Sequence, residues 1–108
     1  MFRMALSFAG FDVEEASDGY IALHLIEQRR PNAVVLDLGL PNVSGYVVLQ
    51  DLAARAQTRD IPVIIVTAQP GVAQPPGAAC LLRKPVTPER LVETVRSCIA
   101  AGSSGAGR

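Results

Sequence analysis

The run Ala33-Val34-Val35-Leu36-Asp37 is four β-prone apolar residues closed by a carboxylate. Two further runs have the same form: Ile61 to Val66, ending at Thr67, and Cys80-Leu81-Leu82, leading to Arg83-Lys84-Pro85. Continuous apolar strands of this kind belong to parallel sheets covered by helices on both faces. Pro62 is tolerable only at the start of its strand, where no ladder donor is needed.

Outward from these runs the periodicity changes to helical. Phe2, Ala5, Leu6 and Ala9 mark one face of a helix over 1–9, and Gly10 supplies a stop. After a Ser17-Asp18-Gly19 turn, Ala22, Leu25 and Ile26 mark a second helix, ended before Pro31. Val48, Leu49 and Leu52 mark a third, over Tyr46 to Gln57. The last has a clear start, with Thr87 as cap, Pro88 at the first position and Glu89 on the dipole. Leu91, Val95, Cys98 and Ile99 form its inner face. Phe11 to Ala16 reads as a short strand, and Pro70 to Gly77 as an irregular segment. A domain over 1–100 with a flexible Gly/Ser-rich tail over 101–108 is expected.

Composition narrows the function classes. The 108 residues hold 49% hydrophobic side chains, enough for one folded domain. Ten basic residues balance ten acidic ones and aromatics are few, so neither a nucleic-acid surface nor a base-stacking platform is indicated. No apolar run is long enough to span a bilayer, and no signal-peptide pattern follows Met1. Cys80 and Cys98 lack metal-ligand spacing and read as small buried residues, so a cytoplasmic location is expected. His24 has no partner and reads as solvated.

Strands alternating with helices imply a doubly wound α/β sheet, with chemistry beyond the carboxyl ends of its strands. Asp37, Thr67 and Lys84 all fall there. Together they suit phosphoryl transfer: Asp37 as a nucleophile forming an acyl phosphate, Lys84 pairing with the phosphoryl charge, and Thr67 donating its hydroxyl. Ala68 is small enough to leave room for the incoming group. Pro85 is expected to follow a cis bond that aims Lys84 inward.

These same residues resemble a known family. Val35-Leu36-Asp37-Leu38-Gly39-Leu40-Pro41, Gly45, Ile61-Pro62-Val63-Ile64, Thr67-Ala68 and Lys84-Pro85 are similar to the receiver domain of bacterial two-component response regulators. Gly10-Phe11-Asp12-Val13 and Ala16-Ser17-Asp18-Gly19 add to the resemblance, which runs from about Phe2 to Ile99. It implies a flavodoxin-like fold and transfer of a phosphoryl group to Asp37 from a histidine kinase or phosphotransfer protein. It further implies a magnesium ion held in part by Asp37 and the Gly39 carbonyl, Thr67 as switch hydroxyl and Lys84 as phosphate-sensing lysine. Pro41, Gly45 and Pro85 would be structural at the site. The output would pass to another protein, with no DNA-binding or enzymatic module in the chain, and the domain itself would not be an enzyme.

Two departures qualify this. Family members begin with a central strand ending in two acids that hold the magnesium, and the chain starts within the helix that should follow it. None of Asp12, Glu14, Glu15 and Asp18 stands where that pair belongs. The sheet is thus expected to be incomplete, closed by direct pairing, a neighbouring chain or, as we favour, residues upstream of Met1. A phosphate donor brought about 4 Å from Asp37 is repelled by roughly 4 kcal/mol at an effective dielectric near 20, which Lys84 alone offsets only in part. Between Thr67 and Lys84 the family's helix is shortened or missing, and Leu81 stands where many members place a switching aromatic. The alternative reading is a pseudo-receiver, a protein-interaction module that works without phosphorylation. A flavin or small-molecule binder is disfavoured, since neither Gly39 to Gly45 nor Gly71 to Gly77 resembles a phosphate-cradling loop.

Overall fold

A computed structural model describes residues 2–39 and 42–106. The chain runs α1 (Phe2–Phe8), α2 (Gly19–Arg29), β1 (Val34–Asp37), α3 (Gly45–Ala54), β2 (Val63–Thr67), β3 (Cys80–Arg83) and α4 (Pro88–Ala106). The three strands form one parallel sheet in the order β1-β2-β3, so the strands expected from the apolar runs all pair. Asp37 lies opposite Val66, and Thr67 opposite Arg83.

All five residues of β2 are buried, as the central position demands. Its side chains alternate between two cores. Val63 and Ile65 join Ile26, Leu36, Val48, Leu49 and Leu52 under α2 and α3. Ile64 and Val66 join Leu6, Leu82, Leu91 and Val95 under α1 and α4. Helices therefore cover both faces, which is why the strands carry no polar stripe.

The structure corrects the sequence reading in three places. Phe11 to Ala16 is not a strand, since it pairs with no other described segment, and direct pairing with β1 does not close the sheet. Its alternation is nonetheless that of an extended chain: Phe11 and Val13 pack inward while Asp12 and Glu14 face out. Period-two patterning sets which way side chains point, whereas a strand requires a ladder partner. Second, α3 stops at Ala54, three residues short of Gln57. There the hydroxyl of buried Thr58 donates to the Leu52 carbonyl at 2.8 Å, taking up one of the acceptors a helix end leaves open. Third, α4 continues through Ala101 to Ala106, where a flexible tail was expected. Each added residue there needs only one further hydrogen bond on an already nucleated helix.

The irregular segment behaves as expected, with no helix between Thr67 and Cys80. Arg83 closes it, donating to the carbonyls of Gln69 (3.2 Å) and Val72. No described helix is long and apolar enough to cross a membrane.

Candidate functional site

Parallel register brings the carboxyl ends of β1, β2 and β3 to one edge, and with them Asp37, Thr67 and Lys84. The Lys84 backbone N–H donates to the Thr67 carbonyl at 2.8 Å, extending the ladder one step past β3. The Lys84–Pro85 peptide bond is cis, as the sequence led us to expect. The Lys84 Nζ then reaches across Thr67 to Asp37 Oδ2 at 2.7 Å. The other carboxylate oxygen, Oδ1, accepts from the Gly39 N–H at 2.8 Å.

This pairing sets the charge state. Partial burial pushes the Asp37 carboxyl up, but the Lys84 hydrogen bond, the Gly39 N–H and the Lys84 charge outweigh it. The group rests below its ordinary value of 3.8 and is a carboxylate at neutral pH. Asp37 and Lys84 remain 43% and 33% exposed, so the pair is open to a donor from solvent.

Because the native value is lowered, the stability that Asp37 contributes is complete above the ordinary carboxylate value. It is lost as pH falls through the lowered native one. Acid titration of the unfolding midpoint should therefore be steeper below about pH 4 for the wild type than for Asp37→Asn. Parallel acid limbs for the two proteins would contradict this.

Thr67 is 2% exposed, and its hydroxyl oxygen accepts from the Gln69 N–H at 3.1 Å. The hydroxyl proton is left to donate. Ala68 and Pro85 are exposed at the same edge. Gly45 lies behind the carboxylate, where an added Cβ would stand 2.8 Å from Leu38 Cα and 3.0 Å from the Asp37 carbonyl oxygen. Its missing side chain lets α3 start directly against the end of β1. Pro41 lies outside the described residues.

Sequence reading passed over the clamp on the loop after β1. Asn42, at φ 67°, donates its side-chain amide to Asp18 Oδ2 at 2.7 Å. Asp18 Oδ1 caps α2 by accepting from the Ile21 N–H at 2.8 Å. One carboxylate thus starts a helix and holds the loop that leads from Asp37 to α3. The backbone bond to Ile21, opposed by partial desolvation and aided by Asn42, lowers its pKa. The only sequence signal was a capping residue before an apolar run.

The residues present do not fit a magnesium site. Magnesium asks for six oxygen ligands and is commonly held by one or two carboxylates with substrate phosphates and water. Among the described residues no three His, Cys, Asp or Glu side chains are grouped to hold a metal ion. Asp37 has both oxygens engaged by donors, and Asp18 is committed to its cap and to Asn42. Glu14 and Glu15 face Arg29 and Arg3, at 3.5 and 3.7 Å.

Comparisons with known proteins agree with the geometry. The sequence matches the response regulator receiver domain over residues 1–96. It is 37% identical over 110 residues to the response regulator MprA of Mycobacterium sp. strain KMS, covering 97% of this chain and 47% of that protein. The chain thus spans about half the length of the curated relatives it matches. Among solved structures, a putative response regulator from Chloroflexus aurantiacus superposes with a TM-score of 0.85 at 30% identity, over 93% of this chain and 86% of that one. The receiver domain of a sensor histidine kinase from Pseudomonas aeruginosa, solved with magnesium coordinated in its active-site cleft, gives 0.81 at 26% identity, over 91% and 84%. With its parallel sheet, the helices on both faces and the three strand-end residues, this chain belongs to the response regulator receiver domain family.

Proposed function

We propose that this receiver domain accepts a phosphoryl group on Asp37 from a phosphohistidine of a kinase or phosphotransfer protein, in the cytoplasm, and signals through protein contacts. A carboxylate oxygen of Asp37 attacks phosphorus, a P–O bond forms as the P–N bond breaks, and the imidazole leaves with the electron pair and takes up a proton. The domain does no chemistry beyond this transfer.

The observation that carries the reading is the 2.7 Å pair between Lys84 Nζ and Asp37 Oδ2 at adjoining strand ends. It keeps Asp37 ionised and places a cation where phosphoryl charge gathers. Thr67 supplies a hydroxyl donor from its buried position between them, and exposed Ala68 leaves the approach open. Among the described residues no cluster of acids stands ready to hold magnesium, so the charge on Lys84 bears more of the donor's repulsion.

The test is labelling of the chain with phosphoramidate, read as a hydroxylamine-labile gain of one phosphoryl group by mass. The wild type should label, and Lys84→Met should label about 10–100-fold more slowly, the size of one lost charge pair at a half-exposed site. A folded wild type that takes no label would instead be an interaction module working without phosphorylation. Equal rates for the two proteins would remove Lys84 from the mechanism.

A further inference from the structure

The chain's two cysteines lie away from the phosphoryl site and on the same side of the sheet. Cys80 opens β3, and alternation puts it on one face with Leu82 while Leu81 faces the other way. The packing agrees: Cys80 and Leu82 belong to the core under α1 and α4, Leu81 to the opposite one. On α4, Leu91, Val95 and Cys98 are spaced four and three apart, a single helical face. Leu91 and Val95 are buried in the core that Cys80 and Cys98 border.

The topology then sets the level of each thiol along the sheet. Only residues 84–87 link β3 to α4, so the helix starts just beyond the strand's carboxyl end and runs back along it. From Arg83 back to Cys80 the strand covers about 10 Å. From Pro88 to Cys98 the helix covers about 15 Å, part of which is taken up by the link. Both thiols thus border the core that lies between β3 and α4. Burial raises the pKa of the Cys98 thiol, and the charge of Cys80 raises it further, an effect that acts between near neighbours. Both side chains are free and partly exposed, within reach of a small oxidant.

We propose that Cys80 and Cys98 form an oxidisable dithiol, which a low-molecular-weight disulfide such as oxidised glutathione closes into an intramolecular disulfide. One cysteine thiolate attacks a glutathione sulfur, and one glutathione thiolate leaves. The second cysteine, deprotonated, attacks the protein sulfur of that mixed disulfide and expels the other glutathione. Two electrons and two protons pass from the cysteines, and the oxidant becomes two glutathione thiols. The bond ties the start of the edge strand β3 to the last part of α4, and closes a loop that contains Lys84.

The test uses the whole chain with oxidised glutathione, followed by alkylation and intact mass. The expected wild-type product has lost two hydrogens, has no alkylatable thiol, keeps the mass of a single chain and regains both thiols with dithiothreitol. Cys80→Ala and Cys98→Ala should each stop at one glutathione adduct, which shows that the remaining thiol is reachable. A wild type that keeps two alkylatable thiols, stops at adducts or links between chains would overturn the proposal. That result leaves phosphoryl labelling of Asp37 untouched, so the two readings fail separately.

Discussion

Asp37→Asn should take up no measurable phosphoryl group from phosphoramidate, a loss on the order of a thousandfold or more against the wild type. The substitution changes one atom. Asn keeps an oxygen to accept the Gly39 N–H, now at 2.8 Å from Oδ1, and its volume fits the same place at the end of β1. What it lacks is the anion. A neutral amide oxygen is a poor nucleophile towards phosphorus, and Lys84 loses the charge that it meets at 2.7 Å. Lys84 then has only solvent to answer its charge, at modest cost because the group is partly exposed. A cooperative melt for the variant would confirm that folding survives. Undiminished, hydroxylamine-labile labelling of the folded variant would move the phosphoacceptor to another acid and sink the assignment of Asp37.

Gly19→Ala should be among the most damaging single changes to the fold, costing about 3 kcal/mol or more. For a domain of this size that lowers the melting temperature by roughly 12–20 °C. An added Cβ would stand 2.1 Å from the Val43 carbonyl oxygen, with the Val43 carbonyl carbon and Cβ each at 2.9 Å. The obstacle is backbone, so no rotamer change relieves it. Nor is the loop free to retreat. Asn42 is tied to Asp18, one residue before Gly19, and Ser44 caps α3 by accepting from the Val47 N–H at 3.3 Å. Moving Val43 would disturb both, and with them the path from Asp37 to α3. Gly71→Ala is the contrasting control. Nothing lies within 4 Å of a Cβ there, so only its φ of +78° is strained, a cost of about 1–2 kcal/mol. Thermal unfolding of the two variants side by side decides the point. A Gly19→Ala protein that melts as high as Gly71→Ala would refute the close approach.

Much of this architecture was legible because burial on both sides leaves a plain mark. Val63 to Val66 can be apolar throughout only if helices cover both faces, and the two cores divide the alternate residues of that strand as expected. The start of α4 was equally plain, since Thr87, Pro88 and Glu89 act within their own turn. Its Thr87 hydroxyl accepts from the Arg90 N–H at 3.2 Å. Where expectation and structure differ, a contact or its absence decided. Phe11 to Ala16 has the alternation of a strand without a ladder neighbour, and α3 ends where Thr58 reaches back to Leu52. Gly19 reads as one more turn glycine until Val43 is brought against it.

The site divides along the same line. By itself the sequence determined which residues stand at or just past the strand ends, because an apolar run followed by Asp37, Thr67 or Arg83-Lys84 is a local pattern set by burial. Strand register decided that Lys84 meets Asp37 across Thr67, and the packing of loop against helix that Asp18 clamps the loop through Asn42. The fit at Gly45 and the pairing of Glu14 and Glu15 with Arg29 and Arg3 are equally tertiary. Such facts depend on which atoms the folded chain brings together, and periodicity carries no information about which of them will touch. Asp37 was legible as a carboxylate at a strand end, and the tertiary structure made it a charged partner of Lys84, open to solvent and, among the described residues, without a ready metal cage.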